Sequence, residues 1–505
     1  MGTSLVGVVN VSVSPIPPIP SSSSKLRLLI FGLFLTACTA WVLLEATPAD
    51  ARLRHGVIWY VGAADPSFRS LAARRYEVGI TGRNRDGDSE KADIRSMNPH
   101  FQWFVYNSGT DNYVPPNEGI EEYTLSNSIC KQKGWDPEIA YMHYRDDTRV
   151  VLQGDTLFIP GWGEGSAKYP SEARVPLYYK DMTRRLVNVS TPQSRALTRQ
   201  VMIQLAFGTP FEGTALYPDG IFLDNTGSTL YNYGNVVSGG HVREADGYAR
   251  IDSPQFRSWF WSENLAPFLT GLKDTLKSSA SWTRDRQRKY LMINCSNAWD
   301  DSYASRDVAD ILFLEFQYNP VRNSGLDAVE KAYRRDSLSA QAGITSFYSA
   351  NMTSSVSGKP GSFSPKEVML GNLCWYLTTR TPTTLFFQQG TNSPQSSNWD
   401  ELTWIGAMDV ADRQLGEAQG GPYTLAEGTD ALGQKYRVMA RRYENGLVVL
   451  RNRGEWNQGI GPETEAIISL PAPLAPVSAD GAIGKAVSQV VLRNGQGAMF
   501  LGSTP

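Results

Sequence analysis

The sequence predicts an α/β chain, a (β/α)8 TIM barrel with a small C-terminal antiparallel β domain, and three observations carry that expectation. Eight short apolar runs recur between residues 55 and 415 with helical stretches among them, the rhythm of a parallel sheet wrapped by helices. The run Ile221-Phe222-Leu223 ends in Asp224-Asn225, an acid and an amide at the point where a buried strand meets solvent. Beyond Gly420 the pattern changes to alternating strands with turn residues, among them Asn445-Gly446, a hairpin signal.

The elements follow in order. Residues 1–25, Pro- and Ser-rich over 15–24, are expected to be disordered. Residues 26–51 read as a signal peptide or a membrane anchor: 28–44 is an apolar run without charge, preceded by Lys25 and Arg27. Three outcomes are open. Ala49-Asp50-Ala51 offers a small-residue cleavage site, the run can stay as an anchor that contacts the membrane through 28–44, and Leu35-Thr36-Ala37-Cys38 resembles a lipobox. Each places the rest of the chain outside the cytoplasm.

Strands are expected at 56–61, 76–80 and 101–106, with an amphipathic helix over 66–75 between the first two. From about 108 to 217 the period is lost in a stretch rich in Gly, Pro, Tyr and Trp, read as a long insertion after the third strand. Its last part is a helix over 192–206, marked by Thr191 as N-cap and Pro192 at the first helical position. Gly161-Trp162-Gly163-Glu164-Gly165 lacks the flanking strand and helix of a phosphate loop and reads as a cleft loop. After the central strand come a helix over 255–276 kinked at Pro267 and strands at 290–294, 311–316, 343–348 and 383–387, completing eight. Strands at 435–442, 447–452, 465–470 and 487–492 make a β-sandwich-like domain over 420–505, packed on the end of the barrel.

Composition narrows the function. With 48 basic against 50 acidic residues, the 505-residue chain has no field to attract nucleic acid, so no nucleic-acid partner is expected. Thirteen Trp and 23 Tyr suit sugar stacking as well as a large core. Cys38, Cys130, Cys295 and Cys374 form no CxxC pair, and His55, His100, His143 and His241 are scattered, so neither a metal nor another cofactor is expected.

Two acids stand at the C-terminal ends of apolar strands, Asp224 and Glu315. Strand ends of one barrel share one mouth, and two carboxyls across a cleft suffice for glycosidic cleavage: one protonates the leaving oxygen while the other attacks the anomeric carbon or activates water. Phe313, Leu314 and Phe316 around Glu315 would favour its neutral form if buried, suiting it to be the acid. Asn225 offers Asp224 a hydrogen bond. The structural alternatives are a turn cap for Asp224 and an ion pair with Arg322 for Glu315. Tyr60, Tyr106, Asn107, Asn294, Gln317 and Gln388 fall at equivalent strand ends and suit sugar hydroxyls and ring faces. Asp219, at the opposite end of the central strand, serves the turn with Gly220.

Trp59-Tyr60, the run 76–80, Asn98-Pro99 leading into Phe101, and above all Asp219-Gly220-Ile221-Phe222-Leu223-Asp224-Asn225 resemble glycoside hydrolases of TIM-barrel type, in particular the hypothetical glycosyl hydrolase 15 family. The resemblance covers about residues 55–415, and the trailing β domain is similar to those that follow such barrels. It implies a hydrolase acting on an oligosaccharide or polysaccharide. The layout also resembles several retaining α-glycosidase families, which makes Asp224 the nucleophile and Glu315 the acid. A non-catalytic carbohydrate-binding or cell-surface protein on the same scaffold is the rival reading. An esterase or metallohydrolase lacks its motif here, since no Gly-x-Ser-x-Gly elbow and no His-rich metal spacing occur.

Overall fold

The computed structural model describes residues 53–59, 66–81, 88–114, 120–152, 155–163, 168–176, 184–207, 218–226, 240–245, 249–278, 288–295, 307–318, 325–351, 363–389, 404–452 and 459–502. The leader at 1–51 and Tyr60 lie outside them, as do Gly165 and Arg322. Among the described residues no helix is long and apolar enough to cross a membrane.

Eight strands form one parallel sheet in the order of the chain: β1 Gly56–Trp59, β2 Val78–Thr81, β3 Gln102–Ser108, β8 Gly220–Asp224, β9 Tyr290–Asn294, β10 Ile311–Tyr318, β11 Thr345–Asn351 and β12 Leu385–Gln389. The sheet curls into a barrel-like shape without closing fully. Between β12 and β1 the described contact is a parallel bridge, His55 to Phe386, with the Phe386 amide donating to the Arg54 carbonyl at 3.0 Å, rather than a full ladder. The fold is thus TIM-barrel-like with a thin seam. Helices follow the strands, including α1 Pro66–Arg75, α2 Asp88–Met97 and, after β11, Pro365–Thr379.

Strand alternation divides the core in two. One set of side chains, with Phe104, Phe222, Met292, Phe313, Phe347 and Phe387, fills the inside of the curl. Phe222 and Phe347 each stand edge-on to Phe313, with ring centroids 5.3 Å and 5.1 Å from it. The alternate set, with Ile221, Leu223, Leu291, Ile293, Leu312 and Tyr348, faces the helices. At the closed end of β8, Asp219 accepts from the Trp103 amide at 2.9 Å and pairs with Arg95. It ties β8 to β3 and to α2 from the side opposite the mouth, the end its place before the strand implied.

The helix expected over 255–276 is broken not at Pro267 itself but just before it. An α-helical segment Pro254–Trp259 passes through a π turn, Phe260–Leu265, into a second α-helix, Ala266–Lys277. Proline supplies no amide to the preceding turn, and the wider turn absorbs the missing bond.

The insertion is ordered in pieces that the lost period concealed. Strand β4, Asp111–Tyr113, pairs antiparallel with β7, Arg184–Leu186, and β5, Thr148–Leu152, pairs with β6, Asp155–Ile159. Helix Ile120–Lys133 packs against Pro192–Phe207, which begins at the residue expected.

The C-terminal part is one antiparallel sheet of six strands, in the order β13 Tyr423–Thr429, β14 Lys435–Tyr443, β15 Gly446–Arg451, β18 Gly497–Leu501, β16 Ala466–Val477 and β17 Val487–Leu492. The long β16 shifts register between Ser469 and Leu474, so its first half pairs with β17 and its second with β18. One face gathers Val438, Leu447, Val449, Ile468 and Phe500 into its own core. The other face lies on helix Pro365–Thr379, against the barrel's flank rather than its end: Met439, Val448, Leu450 and Met499 share a core with Leu373, Cys374 and Trp375. That helix is buried from Leu373 to Thr379 because sheet covers it on both sides.

Candidate active site

Backbone contacts bring the ends of β3, β8 and β9 into one fixed rim. The Gly109 amide donates to the Asp224 carbonyl at 2.8 Å, and the Thr226 amide donates to the Asn294 carbonyl at 3.0 Å. The Thr226 hydroxyl, fully buried, donates to the Leu223 carbonyl at 2.9 Å. Gly109 is needed for this closeness, since a Cβ there would stand 2.0 Å from Thr226 Cγ2 and 3.1 Å from the Asp224 carbonyl oxygen. Asn225 takes the left-handed conformation, φ 62°, alone among described non-glycine residues, which asparagine tolerates better than most.

That turn aims the Asn225 amide at its neighbour, 2.9 Å from Asp224 Oδ1. Tyr106 Oη donates to Asp224 Oδ2 at 2.7 Å, and Asn294 Nδ2 donates to Asp224 Oδ1 at 2.7 Å. The same Asn294 nitrogen donates to Glu315 Oε2 at 2.8 Å. One amide therefore bridges the two acids, and their bridged oxygens can be no farther apart than 2.7 Å and 2.8 Å laid end to end. Both carboxyls are partly exposed, while Phe222 and Phe313, two positions before them on the same face, are fully buried. The pair thus stands on an apolar floor and opens to solvent.

Four of the expected residues converge here: Tyr106, Asp224, Asn294 and Glu315. Asn225 contributes its backbone amide. Asn107 and Gln388 do not belong to the mouth. Asn107 pairs in register with Leu223 and so faces the helix layer, where it is fully buried. Gln388 also faces outward, accepting from Asn372 Nδ2 of helix Pro365–Thr379 at 3.0 Å. The physical reason is the twofold alternation of a strand: if Tyr106 and Phe387 point in, their successors point out. Gln317 lies in β10, but its side chain, like that of Phe316, is outside the described set, as is Tyr60.

One acid at this rim escaped the sequence reading. Asp111, 2% exposed, bonds to the Ser108 hydroxyl and lies 3.1 Å from Arg184 Nη1. Burial pushes its carboxyl up from the ordinary value; Arg184 and Ser108 oppose that shift, and the charge of Asp224 adds to it. Asp111 begins a strand of three residues, too short to register as a period. Among the described residues no group of three or more His, Cys, Asp and Glu side chains is arranged to hold a metal ion.

No family model matches the sequence, and no curated protein matches it. The resemblance to the hypothetical glycosyl hydrolase 15 family therefore stands on the residues quoted for it. Among solved structures the chain is similar to Amy13B of Eubacterium rectale, at 8% identity and a TM-score of 0.46, over 90% of this chain and 96% of that one. It is similar to an alpha-amylase from Geobacillus thermoleovorans complexed with acarbose, at 10% identity and a TM-score of 0.43, over 90% and 99% of the two chains. A GH30 endoxylanase from Clostridium papyrosolvens C71 is similar at 10% identity and a TM-score of 0.39, over 90% and 97%.

Proposed function

We propose that the chain is a glycoside hydrolase that cleaves O-glycosidic bonds of an oligosaccharide or polysaccharide with retention, using Asp224 as nucleophile and Glu315 as acid and base. The observation that carries this reading is the shared Asn294 amide. It holds one oxygen of each carboxyl close to the other, which fits the ~5–5.5 Å of retaining pairs better than the ~6.5–9.5 Å where a water must fit between substrate and base.

Glu315 gives its proton to the glycosidic oxygen as the bond to the anomeric carbon breaks, and Asp224 attacks that carbon to form a glycosyl ester. Glu315, now a carboxylate, takes a proton from water; the resulting hydroxide adds to the anomeric carbon, and Asp224 leaves as a carboxylate. Tyr106 and the Asn225 amide favour Asp224 for attack, because donors from two neighbouring positions fix its rotation. The uncharged run 28–44 behind Lys25 and Arg27 favours action outside the cytoplasm.

A glycan screen of the full chain tests the reading, with Asp224→Asn and Glu315→Gln as controls. A responsive glycan should be cleaved by the wild type and by neither variant, with both variants folded by circular dichroism. Full activity in both variants would overturn the assignment.

A further inference from the structure

The insertion carries a buried charge cluster that glycoside cleavage does not use. His143, with a side chain 1% exposed, has its Nδ1 2.8 Å from Glu244 Oε1 and its Nε2 3.1 Å from Glu138 Oε2. Ionised carboxylates only accept hydrogen bonds, so an imidazole with a carboxylate on each nitrogen needs a proton on each. Glu138 is held as an acceptor on both oxygens. Glu138 accepts two bonds from Arg174, from Nε at 2.8 Å and from Nη2 at 2.5 Å. Glu244 Oε2 accepts the His143 backbone amide at 2.8 Å.

We propose that His143 is a resident imidazolium that latches the loop following β3 to the loop following β8, and that this wall of the mouth loosens when the ring loses its second proton. Glu138, His143 and Arg174 come from the first loop and Glu244 from the second, so the latch joins the segments that continue from Tyr106 and Asp224. Backbone contacts run through the same place. Residues 143 and 174 form one antiparallel bridge and 144 and 242 another, and the Arg243 amide donates to the His143 carbonyl at 2.8 Å.

Other aromatic and charged groups pack around the ring. The Trp162 ring stands edge-on, 4.7 Å from the imidazole, and carries Arg243 on its face at 3.7 Å. Arg174 covers the Tyr141 ring at 4.0 Å and is itself matched by Glu138. From helix Ile120–Lys133 the charge of Glu122 reaches Tyr141 and Tyr123 reaches both Tyr141 and Arg174, and the exposed pair Asp146 and His241 lies outside the cluster.

The direction of the pH dependence follows from these contacts. Burial works against a charge on His143, but the bonds and charges of Glu138 and Glu244 outweigh it and raise the ring above its ordinary value. A raised folded-state value means that the latch is fully set below the ordinary histidine range, ~6.5, and is lost as pH rises through the folded value.

The chain has only four histidines, so imidazole nitrogen resonances of 15N-histidine protein read this directly. One ring should stay protonated on both nitrogens above pH ~6.5. His143→Gln should delete that signal, and Glu244→Gln, which removes one charge, should move its midpoint to lower pH. Amide exchange at Tyr144 and Arg243, corrected for intrinsic rate, should accelerate up to about tenfold per pH unit above the midpoint in the wild type. His143→Gln should show no such rise. If that variant does not fold, the wild-type titration and Glu244→Gln still decide. A set of four rings that all lose a proton by pH ~6.5, or exchange that ignores pH in the wild type, would overturn the proposal.

Discussion

Replacing Asn294 with alanine removes one nitrogen and with it both described bonds between the amide and the acids, at 2.7 Å and 2.8 Å. Hydrogen bonds to charged groups contribute about 1.5–3 kcal/mol each. When both acids are ionised, two unit charges at the separation this bridge allows repel by about 3 kcal/mol at an effective dielectric of 20. Without the shared donor that repulsion is relieved by rotating the carboxyls apart, which is the geometry a single glycosidic bond cannot use. One to two such bonds, about 1.5–6 kcal/mol, correspond to a loss of about 10- to 10⁴-fold in kcat/KM, at tenfold per 1.4 kcal/mol. The fold should survive, because the Thr226 amide bonds to the Asn294 carbonyl and not to its side chain. The assay is initial-rate hydrolysis of whichever glycan the wild type cleaves, with thermal unfolding in parallel. A folded Asn294→Ala protein within about threefold of wild-type kcat/KM would refute the bridging role.

Other outcomes follow from the same packing. Phe222→Ala removes one ring of the aromatic row inside the curled sheet, where Phe222 is 0% exposed, and should cost about 3–5 kcal/mol in urea unfolding. Gly109→Ala places a methyl group 2.0 Å from Thr226 Cγ2, and should lower activity while leaving the C-terminal sheet intact, as read by kinetics and by exchange protection of β14 and β15. Gln388→Ala should cost about 1–3 kcal/mol of stability by leaving the Asn372 amide unbonded, with KM unchanged, since the side chain faces a helix and not the mouth. On the acid side, burial alone would raise Glu138, but the bonds from Arg174 and His143 bring it to about 2. A lowered folded-state value means stability that is present above pH ~4.3 and lost as pH falls towards 2, on the order of 3 kcal/mol in thermal unfolding, and reduced in Glu138→Gln.

The barrel-like sheet was legible because several of its strands are short apolar runs, and burial on both faces leaves little else to fill such a strand. Ile221 to Leu223 and Ile311 to Leu314 are buried throughout, and the acids after them mark where the sheet ends. The faces were less legible. Adjacent positions 106 and 107 cannot both enter the mouth, and alternation counted from Asp224 back to Phe222, then across the ladder to Tyr106, selects the tyrosine. The same count separates Phe387 from Gln388. Strands β13 and β18 escaped because Tyr423–Thr429 mixes Ala, Glu and Gly with its apolar residues and β18 opens on Gly497, whose lack of a side chain admits Cys374. The latch was invisible in sequence: His143 and Glu244 meet only through the fold, and each alone looks like an isolated polar residue.

The most direct test of the central claim is to trap the glycosyl ester. A panel of 2-deoxy-2-fluoro glycosides with activated leaving groups, offered to the full chain, should leave one sugar attached, and peptide mass spectrometry should place it on Asp224, with no label in Asp224→Asn. Label on another carboxylate, or glycan hydrolysis that proceeds with inversion of the anomeric centre, would contradict the account.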